Sequence, residues 1–222
     1  MYKKLGILGG MGPLATYTLY RDIIEHTPAN CDQEHIDMVI LNASHIPDRT
    51  AGILGRGESP LAALRGALEI LEMCGCDLIA IPCNTSHYYY DELKKNCEVD
   101  ILHMPDLTAE AAKNRGEKRV YLMATEGTIK TGVYQKIFDA REIEVIEPSD
   151  DEIAEMMRVI YDIKAGQTTD LGRLEEMTRR HGAKVILGCT EFSTVTFDNM
   201  DYIDAMRVLR DEILTLFGVL TK

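Results

Sequence analysis

No apolar run in the chain approaches the ~20 residues that a bilayer-spanning helix needs, so a transmembrane helix is not expected. Positive charge is also scarce: 24 Lys and Arg stand against 36 Asp and Glu, for a net charge of −12 and a sequence pI near 4.9. Without a broad cationic field, neither nucleic acid nor an anionic membrane is expected as a partner. An acidic small molecule remains admissible, provided a few placed cations and backbone donors hold it. Nor is a leader expected. Met1-Tyr2-Lys3-Lys4 followed by an apolar stretch imitates a signal peptide, but the stretch is broken by Gly6, Gly9, Gly10, Gly12 and Pro13. It then runs into Arg21-Asp22 and lacks a convincing cleavage site. We read it as a first strand and its loop. Six cysteines without a leader imply free thiols in a reducing cytoplasm.

What is present suits a packed protein of one large domain or two small ones: 222 residues, 45% apolar and 27% charged. Short apolar, β-branched runs alternate with helix-period segments, the pattern of an α/β fold with parallel sheets. The runs predict strands over 4–8, 36–41, 77–81, 100–103, 119–123, 143–146 and 184–187. Between them, Ser59-Pro60 predicts an N-cap and first-turn proline. Leu61, Leu64, Leu68 and Leu71 then make one stripe, which Gly75 closes. Ser149-Asp150-Asp151-Glu152 predicts a capping box opening a helix through Ile153, Met156 and Ile160. A last amphipathic helix is expected over about 201–216.

The chain is faintly duplicated. Lys3-Lys4-Leu5-Gly6-Ile7-Leu8-Gly9-Gly10 resembles Lys118-Arg119-Val120-Tyr121-Leu122-Met123-Ala124-Thr125. Later in each half an apolar strand ends in a cysteine followed closely by threonine, in Ile81-Pro82-Cys83-Asn84-Thr85 and Leu187-Gly188-Cys189-Thr190-Glu191. The two cysteines lie roughly half the chain apart. Two similar lobes would each present a thiol at the carboxyl end of a strand, where open α/β sheets bind ligands.

Two familiar chemistries fit poorly. Gly10-Met11-Gly12-Pro13-Leu14-Ala15 matches the glycine pattern of a dinucleotide site, but the acidic residue that pattern wants at the end of the second strand is absent. That strand ends in Leu41-Asn42. Zinc held by Cys74, Cys76, Cys83 and His87 is disfavoured by the Cys-x-Cys spacing. The strand between the two pairs would also hold them about 16 Å apart at ~3.3 Å per residue. Neither a metal nor a cofactor is expected. Cys31, Cys74, Cys76 and Cys97 read as small buried or incidental thiols, and His87 as a packing or capping residue.

Cys83 and Cys189 differ from these. Pro82 ends the strand ladder, and Asn84, Thr85 and Ser86 are cap-type residues, so the Cys83 thiol is expected at a helix N-terminus that favours the thiolate. Cys189 has the same setting. Such a pair could form a disulfide, add to a substrate as nucleophiles, or face each other as base and acid across a substrate carbon. Symmetric placement on two lobes suits a nearly symmetric reaction.

Several motifs carry a resemblance: Gly9-Gly10-Met11-Gly12-Pro13-x-Ala15-Thr16, Pro82-Cys83-Asn84-Thr85-Ser86-His87 and Gly188-Cys189-Thr190-Glu191. Ile46-Pro47-Asp48-Arg49, Leu122-Met123-Ala124-Thr125-Glu126-Gly127-Thr128 and Ile163-Lys164-Ala165-Gly166 join them. Together, in order and over nearly the whole chain, they resemble the aspartate/glutamate racemase family in its two-cysteine, aspartate-racemase form. The resemblance implies two pseudo-symmetric α/β lobes, each a mainly parallel sheet flanked by helices, with the active site in the cleft between them. The first would comprise residues 1–104 with the helix 205–222, the second residues 105–204. It implies cofactor-independent racemisation of an acidic amino acid, most simply aspartate, by Cys83 and Cys189, and a homodimer. Glutamate racemases, broad-specificity racemases and maleate isomerases with a nucleophilic cysteine share much of the architecture, so these remain alternatives. A two-lobed sensory binding module would need neither thiol.

Roles follow from the resemblance and the chemistry. The amides around Met11, with Asn84, Thr85 and Thr190, are expected to hold the α-carboxylate and ammonium group. Thr125 and Thr128 are further hydrogen-bond candidates. Arg49 and Lys164 are the cations expected at a second carboxylate, and Glu191 is expected to orient the ammonium or Cys189.

Overall fold

A computed structural model describes residues 2–219; the outer ends of the expected lobes, residue 1 and residues 220–222, lie outside them. The first half of the chain runs β1 (Lys4–Gly9), α1 (Pro13–Glu25), β2 (Asp37–Asn42), α2 (Arg49–Ile53), α3 (Leu61–Met73), β3 (Leu78–Ala80), α4 (Tyr90–Lys94), β4 (Asp100–Ile101) and α5 (Met104–Asn114). The second runs β5 (Arg119–Ala124), α6 (Glu126–Lys130), α7 (Val133–Asp139), β6 (Glu144–Ile146), α8 (Asp150–Lys164), α9 (Gly172–Arg179), β7 (Lys184–Gly188) and β8 (Tyr202–Asp204), and α10 (Ala205–Leu216) closes the chain.

The strands make two four-stranded sheets of the same order, β2-β1-β3-β4 and β6-β5-β7-β8, and every pairing is parallel. The duplicated segments are thus equivalent strands, β1 and β5, and each cysteine follows the strand beside them, β3 or β7. The loops after β1 and β3, and after β5 and β7, leave a sheet where its strand order reverses, which is where doubly wound sheets bind ligands. Strands β1, β5 and β7 are almost wholly buried, as parallel sheets covered on both faces require. Helix α10 packs back on the first sheet: Met206, Leu209 and Ile213 join Leu5, Ile7, Leu19 and Leu78 in one core.

Local signals act largely as read. Ser149 and Glu152 form the capping box, Glu152 Oε2 accepting from the Ser149 N–H at 2.8 Å. Gly75, at φ +71°, ends α3, with Leu64, Leu68 and Leu71 buried. That helix begins one residue later than its Ser-Pro signal: Pro60 is the cap, and Ser59 Oγ accepts only a long bond, 3.4 Å, from Leu61.

Other boundaries differ for tertiary reasons. Asp77 does not extend β3; its carboxylate accepts from the N–H groups of Lys3 and Lys4. β4 is only two residues long because His103 caps α5. The last helix, expected from about residue 201, begins at Ala205. Residues Tyr202–Asp204 form β8 instead, paired with β7, while the Asp204 carboxylate accepts from the N–H groups of Met206 and Arg207. That aspartate, standing just before the apolar helical run, was a legible N-cap.

Candidate active site

All the expected site residues except Thr128 line one cavity between the two sheets, together with Asp48, Thr50, Met157, Ile160 and Tyr161. The enclosed space is about 20 Å³, little more than one water occupies. It is flanked by pockets of about 540 Å³, toward Arg56 and Glu126, and about 210 Å³, toward Pro13 and Ser44. Thr128 stands behind the wall. Its hydroxyl donates to Thr85 Oγ1 at 3.1 Å, and Thr125 Oγ1 lies 2.9 Å from Thr85 Oγ1 and 3.0 Å from Thr128 Oγ1, a ring of three buried hydroxyls across the cleft.

The glycine loop owes its glycines to packing. Gly10 has φ +89°, and a Cβ there would stand 2.6 Å from backbone atoms of Ala43 and Ser44. The loop after β2 occupies the space over the glycine, and the residue ending β2 is Asn42, with no carboxylate to hold a ribose. Among the described residues no group of three or more His, Cys, Asp or Glu side chains is gathered to hold a metal ion, and no helix is long and apolar enough to cross a membrane.

Both thiols are buried, Cys83 at 6% and Cys189 at 4% exposure. Cys83 precedes a 3₁₀ turn, Asn84–Tyr89, and Cys189 is followed within three residues by another, Phe192–Thr194. Neither stands at the end of a long α-helix, so the aligned peptide dipoles expected to favour a thiolate are few. At Cys189 the balance runs opposite to that expectation: burial first, then the Glu191 charge, push the thiol well above its usual range, against a downward pull from Lys164. Cys189 Sγ donates to Glu191 Oε2 at 3.0 Å, and Lys164 Nζ stands 3.3 Å from Oε1 of the same carboxylate. Burial pulls Lys164 down, but Glu191 and the two cysteines outweigh it and hold the ammonium above its ordinary value.

Arg49 is held rather than free. Nη1 donates to the carbonyls of Ile46 and Pro47, and Nη2 to that of Met11. Asn84 accepts a 2.6 Å bond at Oδ1 from Tyr134. Two buried donors on the cavity wall, Arg49 Nε and Asn84 Nδ2, make no hydrogen bond among the described residues, and Glu191 Oε1 meets only the Lys164 ammonium, 3.3 Å away. Buried groups left unpaired are uncommon, and the two donors complement a carboxylate.

His87 belongs to the packing behind Cys83. Its Nε2 is 3.3 Å from the Ile81 carbonyl, its ring meets His103 edge-on at 5.3 Å, and burial pulls its pKa down to about 3. The sequence reading missed Met157, Ile160 and Tyr161. Their signal was helical spacing: they precede Lys164 by seven, four and three residues on α8, one stripe beside a residue already singled out.

Residues 8–209 match the family model described as Asp/Glu/Hydantoin racemase. The broad-specificity amino-acid racemase RacX of Bacillus subtilis is 30% identical over 199 residues, 86% of each chain. Among solved structures, the Picrophilus torridus aspartate racemase superposes with a TM-score of 0.88 at 30% identity, covering 99% of this chain and 96% of that one. An aspartate racemase homologue from Pyrococcus horikoshii superposes at 0.76 with 25% identity, covering 97% and 99%. The paired parallel sheets are architecture shared with these structures, and the chain belongs to the Asp/Glu/Hydantoin racemase family of isomerases.

Proposed function

We propose that the protein is a cofactor-independent amino-acid racemase that interconverts L- and D-aspartate by a two-base mechanism. The observation that carries this reading is that Cys83 and Cys189, from equivalent positions in the two sheets, line the same buried cavity. One thiolate removes the α-hydrogen from one face while the opposite thiol returns a proton to the other. Roles exchange for the other enantiomer, so the pair titrates as one unit.

The α-hydrogen is a very weak acid, so charge developing on the carboxylate must be met by fixed donors. Asn84 Nδ2, unpaired and buried, serves this purpose, with the Met11 amides, Thr85 and Thr190 beside it. Glu191 Oε1 accepts from the ammonium group. Thr125 contributes a hydroxyl to the wall, and Thr128 steadies Thr85 and Thr125 from behind. The second carboxylate of aspartate goes to Arg49, through its unpaired Nε, and to Lys164. The protein is proposed to work as a homodimer in the reducing cytoplasm, in keeping with its free cysteines.

A broader substrate range has one observation in its favour: both cations are already engaged, Lys164 by Glu191 and Arg49 by three carbonyls. If they stay so engaged, amino acids with neutral side chains are accepted as well. Incubation of a panel of L-amino acids in deuterated water, with chiral chromatography and mass analysis, tests both readings. D-aspartate carrying deuterium at Cα, with little exchange in alanine, is the expected result. Comparable exchange in alanine favours the broad range, and no exchange in any amino acid overturns racemisation. Sedimentation velocity reads the dimer.

A further inference from the structure

Glu191 is bound into the site more tightly than contact with an ammonium group requires. Oε2 accepts from Cys189 Sγ at 3.0 Å, Oε1 faces Lys164 at 3.3 Å, and the residue is only 4% exposed. It also lies so close to the glycine loop that a Cβ at Gly12 would stand 3.0 Å from Oε1. Cys83 has no counterpart: among the described residues its Sγ makes no hydrogen bond to a carboxylate.

We infer that Glu191 breaks the symmetry of the thiol pair: by accepting from Cys189 it keeps the pair's one proton there, so that Cys83 is the thiolate of the resting enzyme. This rests on the two-base reading above. A carboxylate 3.0 Å from sulfur is attracted to S–H and repelled by S⁻, and in a buried site the difference is large. The other titratable and charged groups lining the cavity or coupled to Cys189 are Lys164 and Tyr161 from α8, Tyr134 from α7, Asp48 and Arg49 at the start of α2, and Cys83 after β3. Of these, Lys164 opposes the effect most directly, and it is itself partly neutralised by Glu191. In the first half-reaction Cys83 takes the α-hydrogen and Cys189 gives its proton to the opposite face. The pair is left with S–H on Cys83 and a thiolate beside Glu191. A proton passing from Cys83 to Cys189 through solvent, or turnover of the opposite enantiomer, restores the resting state.

The pH dependence of kcat/KM tests this. Its alkaline limb reports loss of the pair's last proton, which is the one on Cys189. Glu191→Gln keeps shape and an acceptor but removes the charge, and should move that limb down by about one pH unit or more. Gly12→Ala, which crowds the carboxylate, should move it the same way. Ultraviolet titration of the Cys189 thiolate in a Cys83→Ser background should fall in parallel when Glu191→Gln is added, independently of turnover. An unmoved alkaline limb and an unmoved Cys189 titration in Glu191→Gln would overturn the inference alone. Near-normal racemisation by Cys189→Ser would overturn it together with the two-base reading.

Discussion

The Thr190 hydroxyl donates to the Pro82 carbonyl at 3.1 Å. The residue after one cysteine is thereby tied to the residue before the other, across the two sheets, and the register of the thiols rests on protein contacts. Thr190→Val leaves a buried carbonyl unpaired, at a cost of roughly 1–3 kcal/mol, or a Tm lower by a few degrees. Calorimetry should show that fall, and kcat should drop for both enantiomers. Unchanged kcat would mean that the tie does not govern thiol register.

Opposite-face chemistry makes both thiols indispensable. Cys83→Ser and Cys189→Ser should each abolish racemisation, because one face loses its acid or base. Cys74→Ser, at an exposed site, and Cys97→Ser, outside the cavity, should leave turnover largely intact. The check is a chiral assay of all four.

Arg49→Leu has two separable effects. Leucine gives the carbonyls of Ile46, Pro47 and Met11 no donor, so Tm should fall for any substrate specificity. If Nε grips the second carboxylate, kcat/KM for aspartate should fall by about 30-fold to several thousand-fold, the rate equivalent of roughly 2–5 kcal/mol. Any residual rate with alanine should change little. Equal losses on both substrates would assign Arg49 to the scaffold or to the shared α-carboxylate.

His87 gives stability a pH dependence of known sign. Burial, reinforced by His103, lowers its pKa from 6.5 to about 3 in the folded state. Between those values the unfolded chain binds a proton that the folded chain does not. This contribution is therefore full above about pH 6.5 and is lost as pH falls toward 3, at about 1.4 kcal/mol per unit for one proton. Urea unfolding at pH 7 and pH 4.5 should show this decline, and His87→Gln should remove one proton's worth of the slope. An equal slope in the variant would mean that other groups carry it.

Gly127 is a seam between the lobes. A Cβ there would stand 3.0 Å from Thr50 Cα and 3.2 Å from Thr85 Cγ2. Gly127→Val should wedge the cleft, lowering kcat/KM at least tenfold, a difference of about 1.4 kcal/mol, with the α/β circular dichroism spectrum unchanged. Wild-type kinetics would show that the lobes give way there without cost.

Seven of the eight strands and the helices α3, α8 and α10 were legible because their signals are local. Hydrophobic period, Gly75 after a leucine stripe and the Ser149–Glu152 box each act within a few residues. Cys83 and Cys189 stood out because each ends a buried strand in duplicated surroundings, and parallel β3 and β7 carry them to the same end of equivalent sheets. Three residues of β8 were hidden in an amphipathic helical run, since only pairing with β7 makes Tyr202–Asp204 a strand. Tertiary structure alone put Thr128 behind the wall. It also engaged Arg49 with three carbonyls and turned the Cys189 thiol toward its protonated form. Those outcomes depend on burial and on charges brought together from distant segments. Glu191, two residues from Cys189, and Lys164, at the end of another helix, affect the thiol only once the fold has removed the water between them.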